Sequence, residues 1–99
     1  MGALEHFLAH GVHFELQAGD SIRAVGRLDD SIRADIRAQK PRIINELQWR
    51  EFESLLATVG PAYRTPEHEY AEMREAARND LAAALDCYRI MANQIEASQ

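Results

Sequence analysis

Between Val12 and Val25 the hydrophobic period of the chain switches from helical to twofold, and that switch constrains the fold most. Val12-His13-Phe14-Glu15-Leu16 alternates apolar with polar, and Ser21-Ile22-Arg23-Ala24-Val25 alternates again. Period two places Val12, Phe14 and Leu16 on one face of a strand and His13, Glu15 and Gln17 on the other. Ala18-Gly19-Asp20, between the two runs, carries hairpin turn chemistry. An isolated hairpin is marginal in water and needs a cover, and every other segment of this chain reads as helix. One small hairpin among helices keeps open edges, and an open edge can recruit another chain. The pattern points toward a binding module.

The flanking segments follow helical spacing. Leu4, Phe7 and Leu8 form a short amphipathic stripe closed by Gly11. Asp29-Asp30-Ser31 offers capping groups before Ile32 and Ile36, and Pro41 predicts an early end to that helix because it disfavours α geometry at Lys40. Pro41 then suits the first turn of a new helix of about 19 residues, carried by Ile44, Leu47, Phe52, Leu55, Leu56 and Val59 up to Gly60-Pro61. Thr65-Pro66-Glu67 predicts the next start, with the Thr65 hydroxyl as cap. Tyr70, Met73, Ala77, Leu81, Leu85 and Tyr88 continue as one stripe. Asn79-Asp80 either breaks it into two helices or sits exposed in one, and the poor helix propensity of both residues favours the break. The expected fold is α+β and mostly helical. A helix–hairpin–helix–helix module fills residues 1–48, its third helix running to about 59, and a helical hairpin tail fills residues 49–99. The core is expected on these stripes, Leu8 and Ile44 included.

A chain of 99 residues can bury a core without staples. No apolar run approaches the roughly 20 residues of a membrane span, so no membrane partner is expected. Met1-Gly2-Ala3-Leu4-Glu5-His6 lacks the basic and apolar regions of a signal peptide, and His6 breaks the myristoylation pattern after Gly2. A lone Cys87 fits a reducing compartment, so a cytoplasmic location is expected. Arg and Ala are frequent and Lys rare, a bacterial style of usage. Residues 1–50 hold seven Lys/Arg against seven Asp/Glu, and residues 51–99 hold four Arg against nine Asp/Glu. The acidic second half argues against direct nucleic-acid binding, which needs a net basic surface.

Leu8, Gly11-Val12, Leu16, Asp20-x-Ile22-Arg23, Leu28, Ile32, Ile36, Lys40 and Ile43-Ile44-x-x-Leu47 together resemble the TubC-type N-terminal docking domain. That module stands at the start of subunits in nonribosomal peptide and hybrid polyketide synthetases. The similarity covers residues 4–48 and consists of apolar positions with a few fixed polar ones. Modules of this kind also occur on short proteins of bacterial plasmids and integrated elements. Phe52-Glu53-x-Leu55-Leu56, followed by Pro61-Ala62-Tyr63-x-Thr65-Pro66, resembles the tails of those proteins. The resemblance implies a helix, a β-hairpin and two further helices, a homodimer, and capture of a short motif from another subunit at the hairpin edge. On this chain it implies Ser21 to Arg27 as the receiving strand, with Arg23 and Arg27 offering cations to an acidic peptide. Arg33, Arg37 and Lys40 become flanking helix contributors. Residues 49–99 read as helices rather than as a synthetase region.

Other chemistry-bearing residues favour bland readings. His6 and His10 share a helical face with His13 just beyond, but no Cys or carboxylate completes a metal set of established spacing, so no metal is expected. Glu67-His68-Glu69 lacks the second His of a metalloprotease motif, and its acids suit a helix start. Cys87 reads as a buried structural thiol. Trp49, Tyr63 and Tyr70 read as glue between the long helix and the tail. No phosphate loop, nucleophile elbow or acid pair is present, so neither an enzyme nor a cofactor is expected.

The cations remain. Arg33, Arg37 and Lys40 fall on one helical face, read as opposite Ile32 and Ile36. Arg23, Val25 and Arg27 alternate outward on the second strand, and a β-branched Val25 between two Arg suits strand pairing. The expected partner is therefore another protein, an acidic segment accepted at Arg23, Val25, Arg27, Arg33, Arg37 and Lys40. The alternative is a mobile-element accessory protein that inhibits a host nucleoprotein complex in the manner of an anti-CRISPR, its carboxylates standing in for phosphates. A homodimer is the third expectation.

Overall fold

The computed structural model describes residues 2–17 and 21–98. The chain is mostly helical with one antiparallel hairpin, and it divides into two compact units, Met1–Leu47 and Gln48–Gln99. The expected turn residues Ala18, Gly19 and Asp20 lie outside the described residues.

In the first unit, α1 (Ala3–Ala9) ends at a His10 cap, and Gly11 follows at φ +77°, a left-handed conformation that costs glycine nothing. No side chain caps the start of α1 from its own N-cap. Glu46 does so from a distance, accepting the Ala3 N–H at 2.8 Å. Strands β1 (Val12–Leu16) and β2 (Ile22–Gly26) pair in the register Val12↔Gly26 to Leu16↔Ile22. Gly26 sits at φ +140°, and a Cβ there would run into the Gly11 carbonyl, so glycine lets the chain leave β2 close beside the α1–β1 turn. Val12 and Phe14 are buried under Phe7, whose ring meets Phe14 edge-on at 5.4 Å and 86°. Ile43 completes this core, with Ile22, Ala24, Leu28, Ile32, Ile36 and Leu47 packed around it.

Two helices expected on either side of Pro41 are one helix, α2 (Asp30–Ala62). Its start is capped by Asp29, which accepts the Ile32 N–H at 2.8 Å. Ile32, Ile36, Ile43 and Leu47 all pack on the hairpin core, and their spacing keeps one helical phase straight through Pro41. Pro41 removes one hydrogen bond, to Arg37, but both residues are exposed, so water can serve the Arg37 carbonyl. Burial of one apolar stripe outweighs the local cost of proline.

Two core assignments also change. Leu8 is 61% exposed, because one residue past Phe7 rotates it about 100° away from the strand it should cover. Ile43 is fully buried whereas Ile44 is only half-buried.

The end of α2 carries a Schellman motif. The Thr65 N–H donates to the Gly60 carbonyl at 3.0 Å and the Arg64 N–H to the Pro61 carbonyl at 3.1 Å. Arg64 supplies the left-handed residue, at φ +52°. Gly60-Pro61 therefore lies inside the last turn, a short distance before the actual stop.

The second unit adds α3 (Glu67–Asn79) and α4 (Leu81–Ala97). Pro66 is the N-cap of α3 and no side chain caps it, so the expected Thr65 hydroxyl cap is not formed. The chain does break at Asp80, whose carboxylate accepts the Ala83 N–H at 3.1 Å and so starts α4. Phe52, Leu56, Ala77 and Leu85 form the core of this unit. Trp49 meets Phe52 edge-on at 5.5 Å, and Tyr88 stacks on Phe52 at 5.2 Å. Trp49 and Tyr70 pack on this cluster as the expected glue does, while Tyr63 is exposed and does not.

Candidate functional site

The hairpin has two strands, so β2 has β1 on one side and no hydrogen-bonded strand on the other. Which main-chain groups face the open side follows from one bond. The Gln17 N–H donates to the Ser21 carbonyl at 2.8 Å, which makes Gln17 and Ser21 a hydrogen-bonded pair. Such pairs alternate along an antiparallel ladder. In the observed register the pairs Glu15↔Arg23 and His13↔Val25 therefore also exchange hydrogen bonds. Leu16↔Ile22, Phe14↔Ala24 and Val12↔Gly26 are the intervening pairs, whose amides and carbonyls point away from their partner strand. The open edge of β2 thus offers the main-chain groups of Ile22, Ala24 and Gly26. No described residue bonds to them.

The side chains named from the sequence stand beside this edge in different ways. Arg23 lies on the outward face of β2, largely exposed, with a loose 3.9 Å ion pair to Glu15 across the hairpin. Val25 is half-buried on the same face. Arg27 is exposed but follows the last residue of the strand, so the receiving segment is Ile22–Gly26 rather than Ser21 to Arg27. Arg33, Arg37 and Lys40 are exposed on α2. At about 100° per residue they flank the Ile32–Ile36–Ile43 stripe instead of opposing it. Among the described residues, Arg27, Arg33, Arg37 and Lys40 make no ion pair. The first unit therefore carries cations without internal counterparts next to unused hydrogen-bonding groups.

The outward main-chain residues, Ile22, Ala24 and Gly26, were not among the site residues read from the sequence. Side-chain alternation reveals faces and says nothing of edges. The edge assignment depends on which pair closes the hairpin, a property of its loop.

Elsewhere the chemistry is structural. His6 and His10 stack edge-on at 5.2 Å and His13 stands on the exposed face of β1. Among the described residues no three His, Cys, Asp or Glu come together as a metal site. Cys87 is exposed, not buried as expected, because the inward stripe of α4 runs through Leu81, Ala84, Leu85 and Tyr88. Two bidentate ion pairs brace the second unit. Arg89 holds Glu51 at 2.8 and 2.6 Å, and Arg74 holds Glu53 at 2.7 and 3.0 Å. These hydrogen bonds lower the pKa values of both carboxylates, and burial raises that of the Tyr88 phenol. An open hollow of about 680 Å³ near Tyr63 and Gln94 is lined by no charged side chain. No described helix is long and apolar enough to cross a membrane.

No protein-family model matches the chain, and no curated protein or solved structure matches it either.

Proposed function

We propose that this chain is a non-enzymatic recognition module that accepts a short acidic segment of another protein as a strand added to β2. One observation carries the reading: the Ile22, Ala24 and Gly26 main chain is unbonded on the outer side of β2 and lies next to exposed Arg23 and Arg27. Strand addition supplies affinity through main-chain bonds and specificity through alternate side chains. An antiparallel guest would place its residues opposite Arg27, Val25 and Arg23 in that order. The matching motif is acid-x-apolar-x-acid. The likeness of residues 4–48 to docking domains supports the same mode of recognition. A cytoplasmic setting suits the exposed Cys87, which that compartment would keep reduced.

Fluorescence anisotropy with a short labelled peptide carrying Glu-x-Val-x-Glu tests the reading. Saturable binding is expected, with loss of affinity when both Glu become Lys. Equal binding of a scrambled peptide of the same composition would sink it.

A second reading is favoured by the acids of α3. Glu67, Glu69 and Glu72 are exposed and, among the described residues, join no ion pair. Such a surface suits a mobile-element accessory protein that takes phosphate-binding positions on a host nucleoprotein complex. Adding the chain to a purified CRISPR effector should then release its DNA in a gel shift. Unchanged retention would exclude that target.

A further inference from the structure

The β2 edge is complementary to itself in one register. We infer that two copies of the chain join through β2, antiparallel about Ala24, to make a four-stranded sheet in the order β1-β2-β2-β1. This inference shares the open edge with the recognition reading but depends on none of its partner chemistry.

The register follows from two conditions. Outward main-chain groups belong to Ile22, Ala24 and Gly26, so these residues must face one another across the two-fold axis. Centring on Ala24 satisfies all of them: Ala24 exchanges both bonds with its counterpart, and Ile22 exchanges both with Gly26 of the second copy. Centring on Arg23 or Val25 leaves one of the three unpaired.

Charge makes the same selection. The intervening pairs bring side chains closest, with Cα atoms about 4.5 Å apart. Centred on Ala24, each such pair joins Arg23 of one copy to Val25 of the other. The half-buried Val25 then gains cover from the aliphatic stem of arginine. Centred on Arg23, the arginine faces itself. Centred on Val25, Arg23 faces Arg27. Like charges directly opposite destabilise a pair. On the inner face the small Ala24 lets the two strands meet without crowding the Phe14 side chains behind them. Edges that natural proteins keep single carry proline, a bulge or a lysine; Ile22–Gly26 has none of these.

Light scattering and analytical ultracentrifugation over a wide concentration range test the inference, with three variants of the full chain. Val25→Arg puts arginine opposite Arg23 and should weaken the dimer roughly tenfold. Val25→Glu puts a carboxylate there and should tighten it. Opposite shifts from two charged residues at one site cannot come from a general loss of packing. Ala24→Pro removes an outward N–H without touching a bond to β1, and should give a monomer with unchanged helical circular dichroism. If Ala24→Pro fails to fold, the Val25 pair still decides. A chain that stays monomeric at millimolar concentration overturns the inference, as does a dimer indifferent to both Val25 variants. Because one edge holds one strand, a dimer also predicts that the acidic peptide binds less tightly as chain concentration rises. A monomer that still binds the peptide would overturn the dimer and leave the recognition reading standing. A Val25-sensitive dimer that ignores the peptide would do the reverse.

Discussion

Arg89 grips both carboxylate oxygens of Glu51, at 2.8 and 2.6 Å, and so ties α4 to the second half of α2 within one unit. The hydrogen bonds of Arg89 are the main reason the Glu51 pKa falls below the ordinary carboxylate range, and Glu53 falls for the same reason beside Arg74. A carboxylate with a lowered folded pKa stabilises the fold above its unfolded pKa, and that stability is lost as pH drops through the folded value. Stability should therefore fall from about pH 5 downward. Both Glu51 and Arg89 are partly exposed, so the Glu51 contribution stays below about 1 kcal/mol. Urea melts of Glu51→Gln between neutral and acid pH should show a shallower slope than the parent. An unchanged slope would mean that the pair does not govern acid sensitivity.

Gly60 lies directly against the ring of Tyr70, in the space a Cβ would need. Helix propensity alone predicts that Gly60→Ala stabilises by about 1 kcal/mol. Overpacking against the ring should win, with a net loss of about 1–2 kcal/mol. The sign should reverse in a Tyr70→Ala background, where the space is vacant. A double-mutant cycle by urea denaturation measures this coupling, and additive effects would place the ring elsewhere in solution.

Arg64 holds a left-handed conformation at φ +52°, where a side chain costs roughly 1 kcal/mol relative to glycine. Arg64→Gly should stabilise the chain by about 0.5–1 kcal/mol, with the Schellman bonds intact. Arg64→Val should destabilise it, since a β-branched residue tolerates that region least. Chemical denaturation with unchanged m-values reads both effects.

The sequence was most legible where two periods disagree. Alternation from Val12 to Val25 located the hairpin and its buried face, because pleat geometry forces every second side chain to one side. Asp80 was legible as a cap because only short acceptors serve the open N–H groups of a helix start. Leu8 misled because a stripe on a helix of two turns is too short to fix its rotation. Arg64 gave no signal, since arginine has no preference for the left-handed turn that glycine advertises. The open edge was foreseeable in kind, but its outward residues were not, as they depend on main-chain pairing rather than on side chains. Pro41 misled most, and its case is worth a direct measurement.

Pro41 sits in the interior of α2, eleven residues after Asp30 in a helix that runs to Ala62. Its ring removes the hydrogen bond to the Arg37 carbonyl and crowds that carbonyl as well, at a cost of up to about 3 kcal/mol in a regular helix. The stripe of Ile32, Ile36, Ile43 and Leu47 holds α2 together across that defect, because all four side chains join one core. Pro41 is exposed, so replacing it removes no buried contact. Pro41→Ala should therefore restore the missing bond and raise stability by about 1–3 kcal/mol. Ile43→Ala, two positions away and fully buried, should lower stability by about 2–5 kcal/mol. Urea melts of the two variants test whether packing or local geometry governs this segment. If Pro41→Ala is instead destabilising, α2 depends on the proline to set its bend, and the single-helix account of residues 30–62 fails.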